Sequence, residues 1–241
     1  MLPRATVAGE VEVEYLHVSP AEGLSVNGID AKVESVVRAD TRVDLASGGR
    51  KAYLVEHALG CLYLAGVTCA SVRGLSRSYD LSRRSFRDAL REGHPPAAVL
   101  GNASGTLDEK LYLALLKAGI RRLPGGLRRV EHEVALSMRE GEIRVLPSES
   151  VEVYVAAKGK EFELVLEEAS EEEKLRIARA PTPYLRGYSA ETLPHVAGDV
   201  LGDIFALGGF GSGRVEIFPQ RRYHRLTTGA LRRLSFLSGG D

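Results

Sequence analysis

His195, Asp199 and Asp203 follow one another at four-residue intervals in the run Pro194-His195-Val196-Ala197-Gly198-Asp199-Val200-Leu201-Gly202-Asp203. At 3.6 residues per turn they share one stripe of a helix, beside an apolar stripe of Val196, Val200, Ile204 and Leu207. An imidazole and a carboxylate one turn apart can bind a single metal ion, and a carboxylate one turn further can orient another side chain. Taken alone, the pattern is more often a hydrogen-bonded pair or a solvated helix face. Partners for it occur at Glu56-His57, on a second periodic stretch formed by Leu54, Val55, Ala58, Leu59, Leu62 and Tyr63. A hydrolytic metal centre needs three protein ligands, an open position and a carboxylate beside it. His57, His195 and Asp199 supply two imidazoles and a carboxylate, and Glu56 supplies the neighbouring base. Two His and one carboxylate also make up a non-haem Fe(II) site. Cys61 stands one turn after His57 and can bind zinc, but it reads better as a small buried hydrophobe.

The elements that must position these groups can be read in order. Val7 to Val18 alternates as a half-buried strand. Short strands follow at Leu24 to Val26, and from Ala31-Lys32-Val33 through Leu45, broken at Asn27-Gly28 and Gly48-Gly49. A helix over Ala52 to Ala65 carries Glu56 and His57, and a strand over Thr68 to Val72 comes after it. Leu81 to Glu92 and Leu107 to Ala118 read as further helices, separated by the breaker Gly93-His94-Pro95-Pro96. Arg121 to Arg129, rich in Arg, Gly and Pro, reads as a linker. Strands resume at Val130 to Met138, Glu142 to Leu146, Val151 to Ala156 and Glu161 to Leu166. Ser170-Glu171-Glu172-Glu173 carries a capping-box pattern that opens a helix to about Ala180. The His195 helix, a Gly208 to Gly213 turn, a strand over Arg214 to Phe218 and a helix from Leu226 to Phe236 complete the chain.

Each half thus presents strands, a helix with candidate ligands, a glycine turn and a strand. The fold class expected is α+β, with two similar sheet-plus-helix domains at residues 1–124 and 125–241 and a shared cleft between them. Balanced charge, 32 basic against 32 acidic residues, argues against a nucleic-acid partner. Two cysteines cannot build a disulfide framework, and no signal peptide or long apolar run is visible, so a cytoplasmic protein without a transmembrane segment is expected. His17, His94 and His132 have no evident partners and read as structural or exposed.

In order along the chain, the motifs resemble those of the zinc-dependent UDP-3-O-acyl-N-acetylglucosamine deacetylases of lipid A biosynthesis, the LpxC family. Leu54-Val55-Glu56-His57 through Leu64-Ala65-Gly66-Val67 is similar to the family's T-V-E-H helix, and His195 to Ile204 resembles its H-K-x-L-D-x-x-G-D-L signature. Tyr223-His224 resembles its third signature, a G-H before a helix. Shorter similarities lie in Ala31 to Arg42, Leu115 to Ile120 and Arg139 to Glu142. The resemblance implies that His57, His195 and Asp199 bind zinc, with Fe(II) as the alternative metal. It further implies that Glu56 is the general base, that Asp203 orients His224 as general acid, and that Thr182 helps hold the oxyanion. The implied substrate is a small N-acylated amino sugar; the other expectations carried are a divergent relative acting on another N-acyl substrate, and an acyl-sugar or partner-binding protein without catalysis. Departures bear on the substrate. Val196 replaces the family's Lys, a cation expected to meet diphosphate, and Arg221, near another of the family's basic positions, is the substrate-binding residue expected to compensate. The amino-terminal Gly-His loop and the P-E-I-P-I-M-D-G-S strand have no counterpart, and twelve residues between Thr182 and His195 leave no room for the acyl-passage insertion.

Overall fold

A computed structural model describes residues 1–75, 107–183 and 187–237, without the side chains of 235–237. The helix expected at Leu81 to Glu92, the breaker after it and His94 lie outside the described residues. The protein is α+β. Strands β1 (Pro3–Val7), β2 (Val11–Val13), β3 (Leu16–Ser19), β4 (Leu24–Val26) and β5 (Ile29–Asp30) are followed by β6 (Val36–Ala39), β7 (Val43–Ser47) and β8 (Arg50–Ala52). Helix α1 (Val55–Leu64), β9 (Ala70–Arg73), α2 (Leu107–Ala118) and β10 (Ile120–Gly126) come next. The remainder is β11 (Val134–Met138), β12 (Gly141–Leu146), β13 (Val151–Ala157), β14 (Lys160–Val165), α3 (Glu171–Arg179), α4 (Leu193–Ala206), β15 (Gly213–Pro219) and α5 (His224–Leu237).

Two five-stranded sheets share one strand order. In the first, β9 sits between the hairpins β2-β3 and β4-β5; in the second, β15 sits between β11-β12 and β13-β14. Each central strand runs antiparallel to the first hairpin and parallel to the second. Each is also the strand that follows a helix with candidate ligands, α1 or α4. The second sheet alternates buried and half-buried residues along β13 and β15, as a sheet with one face on the core must.

α1 and α4 meet at the middle of one continuous hydrophobic core. Apolar residues surround both helices, which fits burial on every side. Every residue of α1 except His57, and every residue of α4 except Gly198, is buried. The capping box of α3 forms as expected: Ser170 Oγ accepts from the Glu173 N–H at 3.2 Å, and Glu173 Oε2 accepts from the Ser170 N–H at 2.9 Å. After Ala206, Gly208 (φ 107°) and Gly209 (φ 70°) turn the chain away from α4.

Three expectations are corrected. Val7 to Val18 is not one strand: β1 ends at Val7, and Val11 to Val18 folds on itself, with Val13 paired to Leu16. Glu14 takes the left-handed conformation (φ 53°) there, without the Gly or Asn that announces a tight turn. Lys32 and Val33 do not continue a strand, because a single 3-10 turn covers Val33–Ser35. The Arg121 to Arg129 run is no free linker, since β10 pairs antiparallel with β1, Val7 opposite Ile120 and Pro3 opposite Gly126. The expected boundary at 124/125 therefore falls inside a paired strand. Pro124 lies in this two-stranded ribbon, where a missing N–H is tolerated.

Candidate metal centre

The first turn of α1 is set by β7. Leu54 precedes the helix at φ 54°, a conformation costly for a residue with a bulky side chain. Asp44 holds it there, its Oδ1 accepting the Leu54 N–H at 3.1 Å while the buried Arg42 pairs with the same carboxylate at 2.9 Å. One residue earlier, the Val43 N–H donates to Glu56 Oε2 at 2.9 Å and fixes the direction of that side chain.

Glycines bring α4 close to this turn. A Cβ on Gly202 would overlap the Glu56 carbonyl, and one on Gly60 would stand 2.5 Å from the Gly198 carbonyl oxygen. Without side chains at the crossing, two backbones approach until His57, His195 and Asp199 each offer a ligand atom within 4.8 Å of the others.

Each imidazole is oriented from behind. His57 Nδ1 lies 2.8 Å from Asp108 Oδ2, at the first turn of α2, and its Nε2 lies 3.9 Å from Asp199 Oδ1. His195 Nδ1 donates to the Ala180 carbonyl at 2.9 Å, just beyond α3, and its Nε2 lies 3.3 Å from Asp199 Oδ2. Nδ1 of each ring is thus occupied and Nε2 turned toward one carboxylate, the arrangement in which outer partners fix a histidine for a metal. A cleft lined by His57, Cys61, Asp108, Ile177, His195 and Asp199 reaches these atoms.

A second pair stands on the other side of Asp199. His224, at the start of α5, places Nδ1 3.0 Å from both oxygens of Asp203 and Nε2 3.7 Å from Asp199 Oδ2. The stripe of His195, Asp199 and Asp203 is therefore no solvated face: all three are buried, Asp203 completely. Tyr223 donates its phenolic hydrogen to Asp199 Oδ2.

Burial and mutual charge set the protonation of these groups. Burial pushes Glu56 up to about 7 against the pull of His224 and His57. Burial disfavours charge on His57, yet the carboxylates of Asp108 and Asp199 carry it up to about 10. His224 is likewise held down by burial but raised to about 9 by Asp203. Asp203 itself is pushed up to about 6 by burial despite His224. Burial acts against ionised Asp199, and His195 and His57 more than offset it, keeping its carboxyl below the usual range.

The remaining expected residues are spread around this centre. Thr182 is buried two positions beyond Ala180, whose carbonyl holds His195. Arg221 is exposed, with its backbone N–H on the Glu140 carbonyl at 3.2 Å. Cys61 is buried, its thiol donating to the Asp108 carbonyl at 3.4 Å, and burial pushes its pKa up, as suits a packed hydrophobe. His17 sits by Glu12 at 3.2 Å and His132 is exposed, both apart from the centre. Sequence reading missed Asp108 and Tyr223. Asp108 follows the first residue of an amphipathic helix, an ordinary acidic position, and Tyr223 was visible only as the neighbour of His224.

The donor set fits a divalent cation of the zinc type: two neutralisable imidazoles, one carboxylate, and a fixing partner behind each ring. No family model matches this chain, and no curated protein matches it.

Proposed function

We propose that the protein is a metal-dependent amide hydrolase, of the zinc type, that removes an N-acyl group from an amino sugar. The observation that carries this reading is the convergence on one carboxylate, Asp199, of His57 and His195 on one side and the Asp203–His224 pair on the other, with Glu56 beside them. The order of motifs resembling the UDP-3-O-acyl-N-acetylglucosamine deacetylases supports the same chemistry. His57, His195 and Asp199 would hold the ion, which when bound supplies Lewis acidity to a carbonyl and acidity to a water. The protein's own groups do the rest. Glu56 accepts the proton of the attacking water at a carboxylate fixed by Val43. His224, charged through Asp203, delivers a proton from Nε2 to the departing nitrogen. Thr182, buried next to the strand of chain that fixes His195, is the hydroxyl assigned to the oxyanion. The products are a carboxylate and a free amine. The shared strand order of the two sheets further suggests a duplicated unit, with the centre assembled from equivalent helices of the two copies.

Val196 and the short Thr182 to His195 connection make the amino sugar, rather than a long acyl chain or diphosphate, the defining part of the substrate. Release of free amine from UDP-3-O-acyl-N-acetylglucosamine and from simpler N-acetylated amino sugars, by protein holding stoichiometric zinc, tests the proposal. Turnover that disappears in His195→Ala supports it. Zinc-loaded protein that releases amine from none of them overturns it.

A further inference from the structure

Among the described residues, Tyr223 is the one group touching Asp199 that the mechanism above leaves without a task. Its side chain is fully buried, and its phenol donates to Asp199 Oδ2 while its ring packs against His224 with centroids 4.6 Å apart and planes tilted by 40°. The backbone around it is fixed. Arg222 turns the chain at φ 47°, and the Tyr223 carbonyl accepts from the Leu226 and Thr227 N–H groups at 2.9 and 3.0 Å and from the Thr227 hydroxyl at 3.2 Å.

We propose that Tyr223 is a positioning residue for the metal ligand Asp199: its hydroxyl holds Oδ2, the oxygen on the His195 side, and so fixes the carboxylate with Oδ1 on the His57 side. A free carboxylate can rotate about its last torsion and exchange one oxygen for the other or use both. An O–H donor on one oxygen removes that freedom through a charge-assisted hydrogen bond and adds no charge to the site. Lys or Arg in the same place would do it with a cation, which would compete with the metal. The inference rests on the metal reading above but not on the identity of the substrate.

Co²⁺ titration followed by visible absorption, with thermal melting of the same samples, tests it on wild type, Tyr223→Phe and Tyr63→Phe. Tyr63 is the control, an equally buried tyrosine whose hydroxyl donates to the Phe210 carbonyl away from the ligands. Tyr223→Phe is expected to weaken Co²⁺ binding about ten-fold, the lower end of outer-partner effects, and to shift the visible band. Tyr63→Phe is expected to change melting alone. Equal affinity and an unchanged band in Tyr223→Phe would overturn the proposal, as would wild type that binds no Co²⁺. Should Tyr223→Phe fail to fold, zinc loading of wild type supplies the readout. A tyrosine difference spectrum in the near ultraviolet that persists in Tyr63→Phe supports the contact, and a flat one overturns it. Binding that depends on Tyr223 in a protein that cleaves no N-acyl sugar would support the positioning role and remove only the hydrolase reading.

Discussion

α1 and α4 hold equivalent places, each leading into the central strand of a sheet with the same strand order, yet they contribute unequally to the candidate site. α4 brings three polar groups on one stripe, and its His195 and Asp199 pair without help from α1. α1 brings two adjacent residues, Glu56 and His57, that point to different neighbours: Val43 holds the first and Asp108 the second. A spacing of four on one helix builds a ligand pair locally. On the proposed reading a base and the third donor have to be delivered from outside, and the glycine crossing brings Glu56 and His57 to that place.

The largest effect that would sharpen this contrast is at Glu56. Glu56→Gln keeps the hydrogen bond from Val43 and all three metal donors, so metal content should be unchanged while amide cleavage falls by about 10²–10⁴-fold. Unchanged turnover would leave α1 with His57 as its sole contribution. Gly202→Ala comes next. Its methyl group must displace the Glu56 carbonyl, which should cost about 1–3 kcal/mol in urea unfolding and weaken metal binding although no ligand is altered. Stability and affinity equal to wild type would show that the two helices do not need the glycine contact. Asp203→Asn should lower turnover about 10–100-fold through His224 and leave metal affinity in place; loss of metal would move Asp203 into the ligand set. The smallest effect is expected where α2, which carries Asp108, is tied to the β2-β3 turn by Lys110 and Glu14 at 2.8 Å. Lys110→Met removes an exposed pair and should change unfolding free energy by less than about 1 kcal/mol. A drop in metal affinity in that variant would mean that His57 depends on the outer anchoring of α2 as well as on α1.

The same contrast explains what could be read from the sequence. The helices with a clear 3.6-residue period, α1, α2 and α4, and the capping box of α3 were legible because their signals are local. His57, His195 and Asp199 were legible for a related reason, being the ligand types on the two most apolar of these helices. Asp108 and Tyr223 were not, since each meets its partner through tertiary contact, 51 and 24 residues away. The β2-β3 hairpin was hidden by a Glu at its left-handed turn position. β10 was hidden because six of its seven residues are exposed, so it shows none of the alternation of a half-buried strand and holds its place through backbone pairing with β1.

That pairing has a kinetic side. Residues 2–7 are secured by Gly211 at Leu2 and by Ile120 to Gly126 along β1, so the loops they close span most of the chain between them. Loop closure over such separations is slow compared with forming a hairpin such as β2-β3. The ribbon should therefore zip up late, after both helices have docked, and act as a latch whose closure reports that both halves are already in place.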